Sequence, residues 1–510
     1  MLRRPALVPA LVAALATAPL TAQDHGLIGP AALGMGVPRV ASVDDSLAIA
    51  INPAALGFMG RSASTAHDAR DLGGMQFGVG LLDARVGVAL HGRLGDYVER
   101  LDGLDLNRLE NLGVGSQPSD LRALIEVTSL LRTFDVRQDV ITVDGSVGLL
   151  NARAWHLGIG LCGRMHGVLA ITDLDLTNLG IDLNGQGGIA TAINNVNSGM
   201  PAGYTPQVFS AGQQSTLQSV LGGGAAGAQA LARLDHAAGQ AGLSASELSA
   251  IVGTISDPGL LTAILSLAAN GGGTLGSNTT AVSGRVLAYA EVPLAFGWAV
   301  TDWLSVGGAV KLMLGRNGAV KVRLTNGTDA IGDYLDDAQA SSIKSAAIGV
   351  DIGLLARWRG FQVGLVGRDL NTPTFDGGTQ RDSRGQSFTI GEAKVEPRVT
   401  AAIAAFPWSW LTIEGSIDLT ATPGVLRSYQ SRHAGLGAHV EILRVLELRA
   451  GVSRNLAEDD IGTLVHAGIG LDLWGIRADL AGAVAVETAT VDGSEVPRQA
   501  ELAFGLACEF

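Results

Sequence analysis

The feature that most constrains the fold of this chain is a series of stretches in which apolar residues alternate with small or polar ones. The clearest stretch is residues 499–510, and its apolar face contains Leu502, Phe504, Leu506, Cys508 and Phe510. The side chains between them are small or polar: Ala503, Gly505, Ala507 and Glu509. A period of two with an apolar outer face is typical of strands that cross a membrane as a β-barrel.

Composition supports the same architecture. The chain has 70 glycines, only 16% charged residues and a mean hydropathy of +0.29. Beyond residue 22, no uninterrupted apolar run reaches the ~18 residues that a spanning helix needs. Because only helices and closed barrels satisfy every backbone polar group in lipid, the composition favours a barrel. The net charge of −13 argues against a nucleic-acid partner.

The alternation predicts about sixteen strands, with about fourteen as the competing count because the first two stretches are the weakest. The predicted strands lie near residues 61–70, 73–82, 84–93, 137–149, 152–166, 282–298, 302–316, 345–357, 359–369, 395–406, 409–420, 432–441, 443–453, 463–472, 474–484 and 499–510. We therefore expect an all-β fold, a closed antiparallel transmembrane β-barrel over residues 61–510. Residues 94–136 and 167–281 are predicted as long extracellular loops that are partly helical, with short helices near 225–240 and 258–268 in the second loop.

The tryptophans predict one interface of the barrel. Each lies beside a predicted tight turn: Trp155, Trp298, Trp303, Trp358, Trp408, Trp410 and Trp474. Indole rings concentrate where lipid headgroups meet the apolar layer. Since tight turns belong to the periplasmic side of outer-membrane barrels, we expect these rings to mark the periplasmic rim.

The N-terminus has the three parts of a secretory signal peptide. Arg3 and Arg4 precede an apolar run from residue 7 to 20, and Thr21-Ala22-Gln23 follows it. The predicted signal peptide is therefore residues 1–22. Together with the strand pattern, it predicts a multi-pass β-barrel in the outer membrane of a Gram-negative-type bacterium.

Residues 23–60 lack strand alternation and are predicted to be a separate segment that plugs the barrel. Gly34 and Gly36 precede the acidic pair Asp44 and Asp45, and the segment continues to Asn52-Pro53-Ala54-Ala55-Leu56-Gly57. Asn52 suits a helix N-cap, Pro53 the first helical position, and Gly57 a left-handed exit. The segment is too short to form a core of its own, so it must pack against the barrel.

A plug would need partners on the barrel wall. Asp44 and Asp45 require cations, and Arg285 and Arg398 are predicted to face inward. Pro293 interrupts the predicted strand 282–298. Because proline removes a ladder hydrogen bond, Pro293 marks either a bulge near a rim or a kink at which the wall opens sideways.

Other chemistry-bearing residues support no catalytic or metal site. His433, His439 and His466 are predicted to face inward, but strand 443–453 separates them, and no known ligand spacing accompanies them. Cys162 and Cys508 are predicted on opposite faces of the wall and therefore as free thiols. The chain has no nucleophile elbow, P-loop or H-E-x-x-H motif, so we expect neither an enzyme nor a cofactor.

The Asn52-Pro53-Ala54 motif, together with the preceding GMG and ASVDDS residues, resembles the FadL-type family of outer-membrane transporters. Three later stretches look like the TraF-like branch of that superfamily: VGLVGRDLNTPTFDG (363–377), DLTAT (418–422) and LELRAGVSRNL (446–456). The chain departs from the usual plug at Pro38-Arg39, where small residues are more common.

The resemblance implies a function. It implies uptake of small hydrophobic molecules, fatty-acid-like in character, which are caught by the extracellular loops and leave through the wall or past the plug. It also implies contact with outer-membrane lipid and insertion by the barrel assembly machinery, for which Phe510 looks like the terminal signal. The alternative is a non-transporting accessory of assembly or secretion, conjugation-like, that binds partners through its loops.

Overall fold

The computed structural model describes residues 27–60, 77–92, 140–172, 200–220, 224–240, 245, 248–249, 252–253, 281–323, 342–381, 385, 387–423, 430–473, 475–491 and 494–509. Several predictions fall outside these residues: the signal peptide 1–22, the strand 61–70, the loop 94–136, Trp474 and Phe510.

The elements of the described residues are mostly strands. In chain order the strands are β1 (Phe77–Leu90), β2 (Val140–Ala154), β3 (Leu157–Thr172), β4 (Ala281–Ala299), β5 (Leu304–Arg323), β6 (Ile343–Trp358), β7 (Phe361–Arg368), β8 (Thr374–Phe375), β9 (Gly378–Arg381), β10 (Ser387–Ile390), β11 (Ala393–Lys394), β12 (Arg398–Trp408), β13 (Leu411–Asp418), β14 (Thr422–Pro423), β15 (Gln430–Ser431), β16 (His433–Ile442), β17 (Leu446–Asn455), β18 (Thr463–Leu473), β19 (Ile476–Ala485), β20 (Thr488–Val491), β21 (Ser494–Pro497) and β22 (Gln499–Glu509). The helices are α1 (Gly29–Met35), α2 (Ala48–Ile51), the 3₁₀-helix Pro53–Gly57, α3 (Ala211–Val220) and α4 (Gly224–Gln240).

Fourteen strands form a closed antiparallel barrel in the order β1-β2-β3-β4-β5-β6-β7-β12-β13-β16-β17-β18-β19-β22. Strand β22 closes it by pairing with β1, from Gly78 opposite Glu509 to Ala89 opposite Gln499. The predicted all-β barrel is confirmed, with the lower of the two strand counts. The remaining strands pair as four two-stranded sheets that are not part of the barrel wall.

The outer face of the barrel is an apolar belt. Large apolar side chains lie exposed on it, among them Leu294, Phe296, Val310, Leu312, Leu314, Ile348, Ile352, Ile403, Leu436, Val465, Leu480, Leu502 and Phe504. The inner face contains buried charged residues on the alternate positions, such as Glu291 and Lys311. Six tryptophans are exposed at one rim, beside the short turns: Trp155, Trp298, Trp303, Trp358, Trp408 and Trp410. Among the described residues, no helix is long and apolar enough to cross a bilayer.

Two predicted turns are wrong because a bulge interrupts the alternation. The predicted strands 73–82 and 84–93 are one strand, β1, whose register with β22 shifts between Gly80 and Leu82. Strand β2 contains the matching irregularity, a register shift with β3 between Gly148 and Leu150. A bulge places two consecutive side chains on one face, so a pattern of period two ends there although the strand continues.

The consequences for the loop boundaries are small. The turn predicted near Asn151 lies instead at Trp155-His156, between β2 and β3. Strand β3 continues to Thr172, which pairs with Ala281 at the start of β4. Residues 167–172 of the predicted loop 167–281 therefore belong to strand β3.

The helices of this loop have their own apolar core. Phe209, Leu217, Leu231 and Leu234 pack together, and the helix predicted near 225–240 is present as α4. The buried Asp235 carboxylate accepts hydrogen bonds from the backbone N–H groups of residues 207, 208 and 209. This carboxylate ties the chain before α3 to the middle of α4.

Both cysteines are free. Cys162 faces the lumen of the barrel, and Cys508 is on the opposite, outer face of the wall. A disulfide needs Cα atoms within about 7 Å and side chains that point toward each other, which these positions do not provide.

Candidate functional site

The candidate site is the N-terminal segment (residues 27–60) with the barrel wall around it. Helix α1 begins with Pro30 near its first position and ends at Gly36, whose φ of 65° is left-handed. A Cβ on Gly34 would lie 3.0 Å from the Cα of Gly468, so this glycine allows helix and wall to approach closely. The left-handed exit predicted at Gly57 is wrong, because Gly57 remains in the 3₁₀-helix and the left-handed glycine is Gly60.

The N-terminal segment lies within the lumen. Helix α1 packs against β17, β18, β19 and β22, whereas the 3₁₀-helix packs against β4, β5 and β6 on the other side of the barrel. Between them, Val40 and Ala41 pack against residues of β7 and β12. A short segment can contact so many strands of a closed barrel only from inside. Whether it functions as a plug, and whether 23–60 is its extent, stay predictions.

Asn52 organises the 3₁₀-helix and joins it to the wall. Its Oδ1 accepts from the N–H of Ala54 at 3.1 Å, which is the predicted N-cap. Its Nδ2 donates to the carbonyl oxygens of Val40 (2.9 Å) and Leu354 on β6 (3.3 Å). Ser305 on β5 donates to the carbonyl oxygen of Ala54 at 2.7 Å. Asn52 is fully buried, so all three of its bonds are made away from water.

An ion-pair chain runs from the N-terminal segment into the wall. Arg39 donates to Asp44 and to Asp45, each at 2.7 Å. Arg477 on β19 donates to Asp45 at 2.8 Å and to Asp479 at 3.0 Å. Asp479 also accepts from Arg449 on β17 at 2.6 Å. The chain continues through the Arg449–Glu447 pair to His439 on β16.

Asp45 is ionised in this network. Burial alone would raise the pKa of its carboxyl, but the adjacent Arg39 and Arg477 guanidinium groups outweigh burial and hold the pKa well below its usual range. Its second oxygen accepts from the N–H of Leu47 at 3.0 Å. Asp45 is therefore a fixed negative charge between one cation of the segment and one cation of the wall.

The predicted wall partners of the acidic pair are corrected. Arg285 donates to the carbonyl oxygens of Gly391 and Glu392, and Arg398 donates to Ser431. Both lie near the rim with the long loops, far along their strands from the level of Asp45. Sequence position could show that they face inward but not how high in the barrel they lie.

The sequence analysis did not identify several other residues that bind the N-terminal segment. Among them, His466 on β18 donates from Nδ1 to the carbonyl oxygen of Leu33 at 2.8 Å and accepts at Nε2 from Ser453. The sequence did mark Arg39 as unusual, because Pro38-Arg39 stands where plug segments of the resembled family have small residues. For Arg477, the sequence showed only that the side chain is at a strand position that faces the lumen.

Pro293 does not produce a bulge. The pairing of β3 with β4 keeps the same register on both sides of it, from Ile159–Leu294 to Cys162–Glu291. Two residue pairs of the β3–β4 ladder are missing between these points. On its other side, β4 pairs with β5 without a gap, and this ladder includes the pair Pro293–Lys311. The proline therefore interrupts one side of the ladder without displacing the strand, and sideways opening of the wall there stays a prediction.

A glycine pair on β5 provides a matched test of the fit between segment and wall. A Cβ on Gly307 would collide with the backbone of Pro53 and Ala54, whereas a Cβ on Gly308 faces outward with its nearest atom at 3.5 Å, the Asp351 carbonyl oxygen. We expect Gly307→Ala to destabilise the segment by about 1–3 kcal/mol, because a clash between backbones cannot be relieved by a rotamer change. Hydrogen exchange of residues 48–60 should become faster, and Gly308→Ala should leave it unchanged. Equal exchange in both variants would contradict this packing.

The described residues between β7 and β12, which we call the inward loop (residues 369–381, 385 and 387–397), enter the lumen from the long-loop rim. Phe375 is fully buried and stacks on Tyr289 of β4 with ring centroids 5.5 Å apart. The two bonds of Arg285 and a bond from Asn317 to the Gly391 carbonyl oxygen hold the loop against β4 and β5. The loop therefore lies across part of the barrel opening.

A cavity of about 60 Å³ lies between the inward loop and the wall. Its apolar surface comes from Leu287, Tyr289 and Val395, and its charged lining contains both signs: Arg164, Lys311, Arg368, Lys394, Arg398, Asp369 and Glu396. Arg368 also donates to the carbonyl oxygen of Ile51 in the N-terminal segment at 3.3 Å. The cavity is thus next to the segment and on the side of the long loops.

The histidines considered for a metal site have protein partners. His466 makes the two bonds described above, and His439 lies 3.3 Å from the carboxylate of Glu447. Within the ranges that the structure describes, no group of three or more His, Cys, Asp or Glu side chains is arranged to hold a metal ion.

Comparison with known proteins gives one family and a set of similar structures. The family described as "F plasmid transfer operon, TraF, protein" matches residues 49–418. No curated protein sequence matches the chain.

Three of the similar solved structures are a channel, a transporter and a FadL homologue. The TodX deltaS2S3 mutant monoaromatic hydrocarbon channel is 12% identical with a TM-score of 0.46, over 94% of this chain and 99% of the other. The P. putida toluene transporter TodX is 13% identical with a TM-score of 0.43, over 96% and 99%. A Pseudomonas aeruginosa FadL homologue is 9% identical with a TM-score of 0.39, over 97% and 99%.

Proposed function

The chain belongs to the TraF family of the F plasmid transfer operon, and on that premise we propose that it is an outer-membrane channel for small hydrophobic, fatty-acid-like molecules. The observation that carries the proposal is the position of the N-terminal segment within a closed barrel whose outer face is apolar. The segment closes the lumen to water and ions. Its contacts with the wall are many hydrogen bonds and ion pairs, which can break without unfolding the barrel.

The path in this proposal begins at the long-loop rim. A small apolar molecule passes the inward loop, enters the cavity beside Leu287 and Tyr289, and reaches the segment at Ile51. Displacement of the segment then opens the periplasmic side. No catalytic step is part of the proposal. The apolar belt would contact outer-membrane lipid, and the barrel assembly machinery would insert the chain, with Phe510 as its signal.

An uptake experiment tests this function. Cells whose outer membrane carries the protein should accumulate a radiolabelled apolar compound faster than cells that lack it, because the polar surface of that membrane retards such compounds. Uptake of a hydrophilic sugar of similar size should not change. Equal uptake of both compounds would indicate an open pore, and no increase in either would exclude transport.

The accessory function has one observation in its favour. Helices α3 and α4, in the loop between β3 and β4, share a core made only of residues 208–252 among those described. A unit with its own core can present a surface independently of the barrel. If the unit of α3 and α4 binds a partner protein and has no role in uptake, deletion of residues 173–280 should leave accumulation of the apolar compound unchanged. The same deletion should abolish retention of the partner.

A further inference from the structure

Within the described residues, two buried carboxyl groups of the barrel wall face the N-terminal segment without an ion pair. Asp83 on β1 is 8% exposed, and Glu414 on β13 is fully buried. One oxygen of each carboxyl, Asp83 Oδ2 and Glu414 Oε2, has no hydrogen-bond partner in the same part of the chain. A buried carboxylate is costly unless its charge is compensated, and protonation removes that cost.

Asp83 lies against the start of the N-terminal segment. A Cβ on Gly29 would be 2.9 Å from Asp83 Oδ2, so this carboxyl packs against the first residue of α1. Asp83 also lines a cavity of about 20 Å³, which is large enough for one water molecule, together with Asp45, Asp479 and Arg477. Two of these neighbours are acidic, so ionised Asp83 would bring a third negative charge to the same space.

The cations near Asp83 have other carboxylates as partners. Their pairs among the described residues are Arg85 with Glu501 (2.9 Å), Arg164 with Glu291 (2.7 Å), and Arg477 with Asp45 (2.8 Å) and Asp479 (3.0 Å). The charges of these cations are therefore already compensated at contact distance. They attract Asp83 only from further away.

Glu414 lies opposite the middle of the N-terminal segment. It faces Ala41 and Ser42, and its Oε1 accepts from the N–H of Ala41 at 3.4 Å, longer than the usual range of about 2.7–3.2 Å. The residues opposite Glu414 on the two flanking strands, Ala404 and Gly437, are uncharged. Neither the segment nor the wall provides Glu414 with a cation at contact distance in the described structure.

The charged groups around Glu414 are engaged with each other. Arg39 of the segment acts on Glu414 from a distance and is paired with Asp44 and Asp45 at 2.7 Å each. Two residues along β13, Thr412 is opposite His439, which lies 3.3 Å from the Glu447 carboxylate.

We propose that two protons, one on Asp83 and one on Glu414, hold the N-terminal segment in the closed barrel, and that loss of these protons as the pH rises releases it. After release, both carboxyls face a lumen filled with water and ionise as exposed carboxyls do, at about pH 4. Closure therefore takes up protons, so a higher pH favours the released state. The inference deepens and rests on the proposed function, because it names what controls displacement of the segment.

Hydrogen exchange of residues 27–60 in the full chain, measured from about pH 5 to about pH 9, tests this proton link. The range is wide because burial can delay ionisation of a carboxyl by about 3–5 pH units. After correction for the intrinsic pH dependence of exchange, protection of the segment should fall with rising pH. The decrease should reach about tenfold per pH unit for each proton that is released.

Amide variants isolate the two carboxyls. Asp83→Asn and Glu414→Gln keep the shape of each group and resemble its protonated form, so each should remove the slope that belongs to one proton. The double variant should be protected equally at all pH values. Asp459→Asn, at a side chain that is 91% exposed, should keep the slope of the native protein. If one single variant fails to fold, the other variant and the slope of the native protein still decide the outcome.

Two results would overturn the proposal. One is protection of the native segment that does not depend on pH. The other is a slope that persists in the double variant, which would belong to other groups such as His156 and His466, bonded to the carbonyl oxygens of Leu56 and Leu33.

Exchange measures release of the segment and not passage of a molecule. Protection without pH dependence together with intact uptake of the apolar compound would therefore count against the proton link alone. Release that depends on pH in a protein without uptake would count against the proposed function alone.

Discussion

Deletion of residues 27–60 is expected to leave a folded barrel with a larger and steadier conductance in planar bilayers than that of the full chain. The barrel wall keeps all fourteen strands and its inner ion pairs between Arg477, Asp479 and Arg449. These groups would be solvated by water in the vacated lumen, as the inner faces of large barrels are. The lumen would therefore change from an occupied space to an aqueous path.

The control for this deletion is removal of residues 211–240, which comprise α3 and α4 and are of similar length. These helices pack with each other in a surface loop, and deletions in such loops are tolerated. Conductance should then remain that of the full chain. Heat-dependent migration in detergent gels would verify that both variants fold. Unchanged conductance after removal of 27–60 would show that the segment does not close the pore, and the proposed function would lose its main support.

Asp45→Asn should release the N-terminal segment from the wall although it changes only one side chain. Asp45 is the anion between Arg39 and Arg477, and its loss leaves two buried guanidinium groups close together. Removal of one member of a buried pair costs about 3–5 kcal/mol. Hydrogen-exchange protection of residues 27–60 should fall by about two to four orders of magnitude, and bilayer recordings should show frequent openings.

The matched control is Asp459→Asn. Asp459 also pairs with an arginine, Arg454, at 3.0 Å, but its side chain is 91% exposed. Exposed pairs contribute about 0–1 kcal/mol, so neither exchange nor conductance should change. If both substitutions have the same effect, burial of the network is not what holds the segment.

The same network has a defined pH dependence. The pKa of Asp45 is lower in the folded protein than in the unfolded chain, so its stabilising contribution is complete above the unfolded pKa of about 3.9. That contribution is lost only as the pH falls through the much lower folded pKa. At pH 4 the segment of the native protein should therefore stay protected, whereas the segment of Asp45→Asn should be released at both pH 4 and pH 7.

The periodicity of the sequence determined most of the barrel. In β13 and β16 to β19, side chains alternate without interruption, and the strands lie within three residues of their predicted positions. Alternation reports only which face of a strand a side chain occupies. In β1 and β2 it ends at a bulge, so it could not distinguish a bulge from a turn, and the count of strands remained open there.

The site divided in the same way between local and tertiary information. The cap of Asn52 on Ala54 was predictable because it spans two residues and depends on local geometry alone. The wall partner of Asp45, Arg477, was not predictable, because the alternation pattern identifies every lumen-facing arginine equally and does not distinguish between them. The height of each side chain within the barrel depends on strand tilt and on the register between neighbouring strands, and these are set by hydrogen bonds between residues far apart in the chain.

What the sequence by itself determined is therefore the class of structure: a membrane barrel, its inner and outer faces and the existence of a separate N-terminal segment. The physical reason is the lipid environment, which requires apolar side chains on the outer face and hydrogen-bonded backbone groups. Both requirements produce a repeating pattern in the sequence of the strands. Only the tertiary structure decided that Arg39 and Arg477 share Asp45, that Arg285 holds the inward loop and that Arg398 lines a cavity beside that loop. Those contacts depend on distances in three dimensions. The charge of a residue and its inward or outward position on a strand do not determine these distances.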